Sequence, residues 1–133
     1  MAGFHWAGSL DGSEPIIQEF VVKASAVISK GEMLNLESGE ADAGAAADTA
    51  LIGIAVEDVD NTSDGEVVHA IVNPNAIYAC DDANARVTGA LLDMASGGMG
   101  LTTDSSHTFM VVSDSTASEP TQVTFNGTHF TQV

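Results

Sequence analysis

The densest run of possible ligands in the sequence is Asp58-Val59-Asp60-Asn61-Thr62-Ser63-Asp64-Gly65. Aligned on Asp60, Thr62, Asp64 and Gly65, it matches the front of a calcium loop, where alternate oxygen-bearing side chains converge and a glycine makes the sharp turn. Such a loop needs a bidentate glutamate six positions after the glycine, but Ile71 stands there, inside an apparent strand. The run reads instead as an acidic turn between strands. His5, His69, His107 and His129 are dispersed, with no pair at a zinc-ligand spacing. Cys80 closes the apolar run Ile77-Tyr78-Ala79-Cys80 with no cation nearby in sequence to activate it, so it reads as a small buried hydrophobe. Gly97-Gly98-Met99-Gly100 lacks both a lysine and a following helix, which a phosphate cradle requires. There is no G-x-S-x-G elbow and no G-x-G-x-x-G, and the paired carboxylates fall in turns where water keeps them ionised. The expectation is a chain with no catalytic residues, no cofactor and no bound metal.

The elements that would carry any site belong to one domain. A chain of 133 residues buries about two-thirds of its unfolded surface, enough for one core. Three basic residues, Lys23, Lys30 and Arg86, face nineteen acidic ones, for a formal charge of −16. That surface repels phosphate backbones and anionic lipid, so nucleic acid and membrane are not expected partners. A hydrophobic fraction of 44% argues that the acidity solvates a folded exterior rather than a disordered chain. Like-charged copies that assemble must do so through apolar or hydrogen-bonded patches. One cysteine forms no intrachain disulfide, and no signal-peptide pattern opens the sequence, so synthesis in a host cytoplasm is expected.

Residues 1–15 read as an N-terminal arm, punctuated by Gly3, Gly8, Gly12 and Pro15 with no sustained period. Phe4, His5 and Trp6 sit near its tip, and the aromatics either dock on a partner or fold back onto their own domain. Residues 16–133 read as one β-domain. Strands are expected at 16–24, 33–37, 51–56, 66–72, 76–80, 91–95 and 108–113, with Gly53 marking a bulge or close backbone approach. Phe20 and Val22 should share one face of the first strand, and Ile17, Glu19 and Val21 the other. Residues 40–48 read as an acidic surface loop, 81–86 as a possible helical turn, and Ser96-Gly97-Gly98 as a mobile link. Asn126-Gly127 between alternating runs predicts a type I′ hairpin with Val123, Phe125 and Phe130 facing the core. The fold class is mostly β, a small compact barrel or sandwich with an extended N-terminal arm and little helix.

Three stretches together resemble the head-decoration, or cement, proteins of tailed bacteriophages, lambda-type ones included. Ser29-Lys30-Gly31-Glu32-Met33-Leu34-Asn35-Leu36 is similar to that group's aG(D/E)xLxL opening. Ala50-Leu51-Ile52-Gly53-Ile54-Ala55-Val56-Glu57 is similar to its xxIGIAxE strand, and Val72-Asn73-Pro74-Asn75-Ala76-Ile77-Tyr78-Ala79 to its xPxxxFxA strand. The similarity covers about residues 25 to 126 and is a pattern of glycines and alternating apolar residues. The resemblance implies a compact β-tulip or barrel on the outer surface of a capsid. It also implies a homotrimer at local three-fold axes, the major capsid protein as partner, an N-terminal segment ordered on the shell, and no catalytic residues. No family motif covers residues 1–15, so Phe4, His5 and Trp6 are candidate capsid contacts by character alone. A tail, fibre or adhesin domain presenting Asp- and Ser-rich loops to a receptor is the competing reading. A calcium-loaded hydrolase or lectin would rest only on the turn around Asp60.

Overall fold

The computed structural model describes residues 3–45, 48, 50–63, 65–95, 98–103 and 107–130. Among the described residues thirteen strands follow in order: β1 Phe4–Ser9, β2 Ile17–Val21, β3 Val27–Ile28, β4 Met33–Glu37, β5 Glu40–Ala43, β6 Leu51–Ala55, β7 Val59–Asp60, β8 Val67–Ile71, β9 Ala76–Cys80, β10 Leu91–Met94, β11 Leu101–Thr102, β12 Phe109–Val111 and β13 Thr121–Phe125. They form a six-stranded sheet in the order β1-β9-β13-β12-β10-β11, a five-stranded sheet in the order β2-β8-β6-β4-β5, and a two-stranded ribbon of β3 and β7. The fold is nearly all β and sandwich-like. The five-stranded sheet curls until Val22 bridges Ala41 at its two margins, but it does not close into a barrel.

Alternation along the five-stranded sheet feeds two cores. Met33, Leu51, Ile54 and Ile71 join the aromatics of the six-stranded sheet, Phe4, Tyr78, Phe109 and Phe125. Their immediate neighbours Leu34, Ile52, Ala55 and Ala70 face the opposite way, into a second cluster roofed by Ile28 and Val59 of the ribbon. A sheet buried on both faces explains why every residue of β6 is buried. Leu51 and Ile54 lie three apart yet share a core because the register with β4 slips by one residue between them. Gly53 sits at that slip with φ +143°, and a Cβ there would lie 1.7 Å from the Ile71 carbonyl oxygen. Bulge and close approach are both real. The faces expected for β2 also hold: Phe20 is buried, and Ile17, Glu19 and Val21 are exposed.

Several expectations need correction. Residues 4–9 of the expected arm form an edge strand, antiparallel to β9 with a bulge between Trp6 and Gly8, so Phe4 folds back onto its own domain, one of the two outcomes left open for the aromatics. The chain that follows is tied down by Asn73, whose Oδ1 accepts from the Ile16 N–H at 2.7 Å and whose Nδ2 donates to the Glu14 carbonyl at 2.9 Å. Residues 40–43 are a strand, β5, because Ser38 (φ 51°) and Gly39 (φ 83°) both take positive φ and make the two-residue turn that pairs Glu37 with Glu40. Asn126-Gly127 does not do this: only Gly127 has positive φ, whereas a type I′ turn needs it at both positions. The chain runs on instead, and His129 bridges Leu51 of the other sheet. His129 and Thr124 are buried as well; the Thr124 hydroxyl donates to the Ala76 carbonyl at 2.8 Å, and His129 Nε2 bonds the Ile52 carbonyl at 3.0 Å. Residues 81–86 form no helix. Ser96 and Gly97 of the expected mobile link lie outside the described residues.

Candidate docking site

The turn that mimicked a calcium loop spends its side chains on the backbone. Asp58 accepts the Lys30 N–H at 2.7 Å and Asp60 accepts the Thr62 N–H at 3.0 Å. Asn61, fully buried, donates to the carbonyls of Val22 and Lys23 at 3.0 Å each and accepts the Glu66 N–H at 2.8 Å. Asp64 lies outside the described residues. Among the described residues no three His, Cys, Asp or Glu side chains gather as a metal site would require. Cys80 is buried, and that burial, with the Asp81 and Asp82 carboxylates beside it, pushes its thiol up to about 12.

The remaining histidines are placed for structure or surface. His69 lies on the solvent side of β8, with Nδ1 at 2.7 Å from Glu57 Oε1 and Nε2 at 3.4 Å from Glu19. The hydrogen bond to Glu57 raises its pKa above the ordinary histidine value, and Glu19 adds to the rise. Burial pushes His129 the other way, favouring its neutral form. One carboxylate that sequence reasoning passed over is Glu32, 7% exposed, whose Oε2 is shut off from solvent without a hydrogen-bond partner among the described residues. Burial, reinforced by Asp42, raises its pKa to about 7.

Phe4, His5 and Trp6 come together at one wall of a groove with a volume of about 340 Å³. Their strand is held there by two close backbone approaches. The Phe4 N–H donates to the Gly31 carbonyl at 2.8 Å, and a Cβ on Gly31 would lie 3.0 Å from the Phe4 oxygen, so only glycine seats β1 this tightly. The Lys30-Gly31 turn forms one end of the groove, and Ile54, Ala55 and Val56 at the end of β6, with Ile71 of β8, form the facing wall. The lining is therefore apolar except for His5 and the Lys30 rim. Phe4 belongs to the core, fully buried with ring centroids 5.4 Å from Phe109 and 6.4 Å from Tyr78. His5 and Trp6 remain half-buried.

The groove marks where the cover of one sheet by the other stops. Beyond Ile71 the same face of the five-stranded sheet carries Ile17 and Val21, 56% and 53% exposed, beside Glu19 and His69. Lysines and arginines elsewhere are engaged: Lys23 with Glu37 at 2.9 Å and Asp42 at 3.5 Å, Arg86 with Asp82 at 2.6 Å. Among the described residues Lys30 is the one basic side chain without an ion pair. Sequence reasoning named Phe4, His5 and Trp6 but not Lys30, Val56 or Ile71 as their neighbours, since no spacing along the chain links them.

No protein-family model and no curated protein matches the sequence. Among solved structures, the fold is similar to the N base of the head fiber gp8.5 in bacteriophage phi29, with a TM-score of 0.56 and 18% identity. The match covers 86% of this chain and 98% of that one. At this identity the likeness is one of fold.

Proposed function

We propose that this chain is a non-enzymatic structural protein of a tailed-phage head, and more specifically a decoration protein bound to the outer surface of the capsid. The observation that carries the reading is the near-complete fold match to a protein named as the base of a phage head fiber. The three stretches that resemble head-decoration proteins support it from an independent direction, since Gly53, the fixed point of one of them, makes the closest backbone approach among the described glycines, and Gly31, the fixed point of another, seats β1. On this reading the partner is the major capsid protein, and copies sit as trimers at local three-fold axes, where many weak symmetric contacts add by avidity. The contact surface is the border of β1, with His5 and Trp6 exposed enough to touch a partner. A surface charge of −16 suits a protein that remains soluble before assembly and makes no contact with packaged nucleic acid.

Electron microscopy of particles from the phage that encodes the chain tests this directly. Density for the fold is expected on the shell exterior at three-fold positions. Particles with a bare exterior, in preparations where the protein is expressed, would overturn the reading. Density at the tail or fibre tip would favour the receptor-binding alternative.

A further inference from the structure

We infer that the groove beneath β1 is a receptor for a partner polypeptide segment that presents a large apolar side chain beside a carboxylate. The inference rests on the head-association reading for the identity of the partner, but its chemistry is written in the groove alone. At about 340 Å³ the cavity lies at the small end of ligand sites, the size for one bulky side chain rather than an extended small molecule. Its floor and far wall, Ile54, Val56 and Ile71, reward an apolar group.

Charge selects what accompanies that group. The protein repels anions over most of its surface, and its other lysine and its arginine are neutralised by neighbouring carboxylates. Lys30 is exposed at the groove rim, anchored through its own backbone N–H to Asp58, with its ammonium unpaired among the described residues. A carboxylate arriving there meets the one lysine or arginine among the described residues that has no ion pair, a contact that a neutral or basic segment lacks. The apolar strip continues onto exposed Ile17, so a segment leaving the groove has further surface to cover.

Trp6 is the chain's only tryptophan and lines the groove, so its emission reports occupancy without a label. The probes are N-acetyl-phenylalanine, which carries the carboxylate, and N-acetyl-phenylalaninamide, which does not. The full chain should show a saturable change in Trp6 emission with both, in the millimolar range for ligands this small. The carboxylate probe should bind about two- to fivefold more tightly, the worth of an exposed ion pair. Lys30→Gln should erase that preference, and Lys23→Gln, the same charge change at the lysine already paired, should leave it intact. No saturable response, equal affinity for the two probes, or equal loss in both lysine variants would overturn the inference. Counting copies of wild type and Lys30→Gln on isolated heads separates the two readings. Probe binding that obeys Lys30 while neither protein binds heads refutes head association and leaves the groove standing. Equal head binding by both proteins together with a failed titration refutes the groove alone.

Discussion

Replacing Glu32 by glutamine should remove a large part of the pH dependence of this protein's stability. Glu32 heads β4, is 7% exposed, and leaves Oε2 unpartnered among the described residues. Burial, then Asp42, lift its pKa from 4.5 to about 7 against one opposing bond from the Ser29 backbone. Between those two values the folded protein holds a proton that the unfolded chain has released, so stability falls as pH rises. Below the lower value both states are protonated, and above the upper value both are ionised and the penalty is constant. The whole shift corresponds to about 3 kcal/mol, of which about 2.5 kcal/mol develops between about pH 5 and about pH 8. His69 is shifted up and His129 down from the ordinary histidine value, so the raw stability curve mixes their contributions with that of Glu32. Subtracting the Glu32→Gln curve from wild type isolates the one carboxylate, because both histidines remain. Glutamine brings its own buried amide, at a cost that does not vary with pH. Urea unfolding of both proteins, followed by Trp6 emission, gives the two curves. The variant should gain on wild type by about 2.5 kcal/mol across that range. Curves that stay parallel within about 0.5 kcal/mol would show that Glu32 is ionised and hydrated in the fold, and the reasoning from burial would fail.

Gly53→Ala should destabilise by more than about 3 kcal/mol or abolish folding, because the new Cβ lies 1.7 Å from a backbone oxygen in the middle of a sheet. Gly127→Ala, also at positive φ but with nothing within 4 Å, should cost only about 1 to 2 kcal/mol, and thermal melts of the pair separate clash from backbone preference. In Glu57→Gln the His69 titration seen by NMR should move down toward the ordinary histidine value, since the bond to Glu57 is the largest cause of its rise. His69 contributes stability below the ordinary histidine pKa and loses it as pH rises through its raised folded value, so that loss should shrink in the same variant.

How much could be read along the chain depends on where the period of two survived. β4, β8 and β9 were legible within a residue, and β2 within three, because each is a short apolar run bounded by turn residues. β6 was legible despite its bulge because Gly53 announced it. β1 was not: a bulge at its centre breaks the alternation, and Gly3 and Gly8 at its ends read as punctuation of a tail. β5 was hidden by composition, since Glu-Ala-Asp-Ala carries no β-branched residue, and the turn that creates it, Ser38-Gly39, is a weaker signal than Asn126-Gly127. That stronger signal failed because the buried contacts of Thr128 and His129 with the rest of the fold outweigh a local turn. The Thr128 hydroxyl donates to the Thr108 carbonyl at 3.1 Å, its carbonyl accepts the Leu51 N–H at 2.9 Å, and His129 reaches Ile52. The groove itself joins residues 4–6, 30–31, 54–56 and 71, contacts that only the pairing of two sheets creates.

The position of β1 also changes which experiment can speak to function. A free arm could be deleted with the body left intact, and loss of head binding would then identify the arm as the grip. Here Phe4 supplies a fully buried ring to the aromatic core, and β1 makes an antiparallel ladder with β9. Removing residues 1–15 would therefore open a cavity costing about 3 to 5 kcal/mol at Phe4 alone, besides exposing the edge of β9. Lost binding after such a truncation would report lost folding as readily as a lost contact. Trp6 and Lys30 carry the same question without that ambiguity. Trp6 is only partly buried, and the Lys30 ammonium bonds to nothing else in the described fold, so changing either alters the rim of the groove and leaves Phe4 in place. A binding defect in a folded Trp6→Ala or Lys30→Gln protein would thus belong to the surface rather than to a lost core contact.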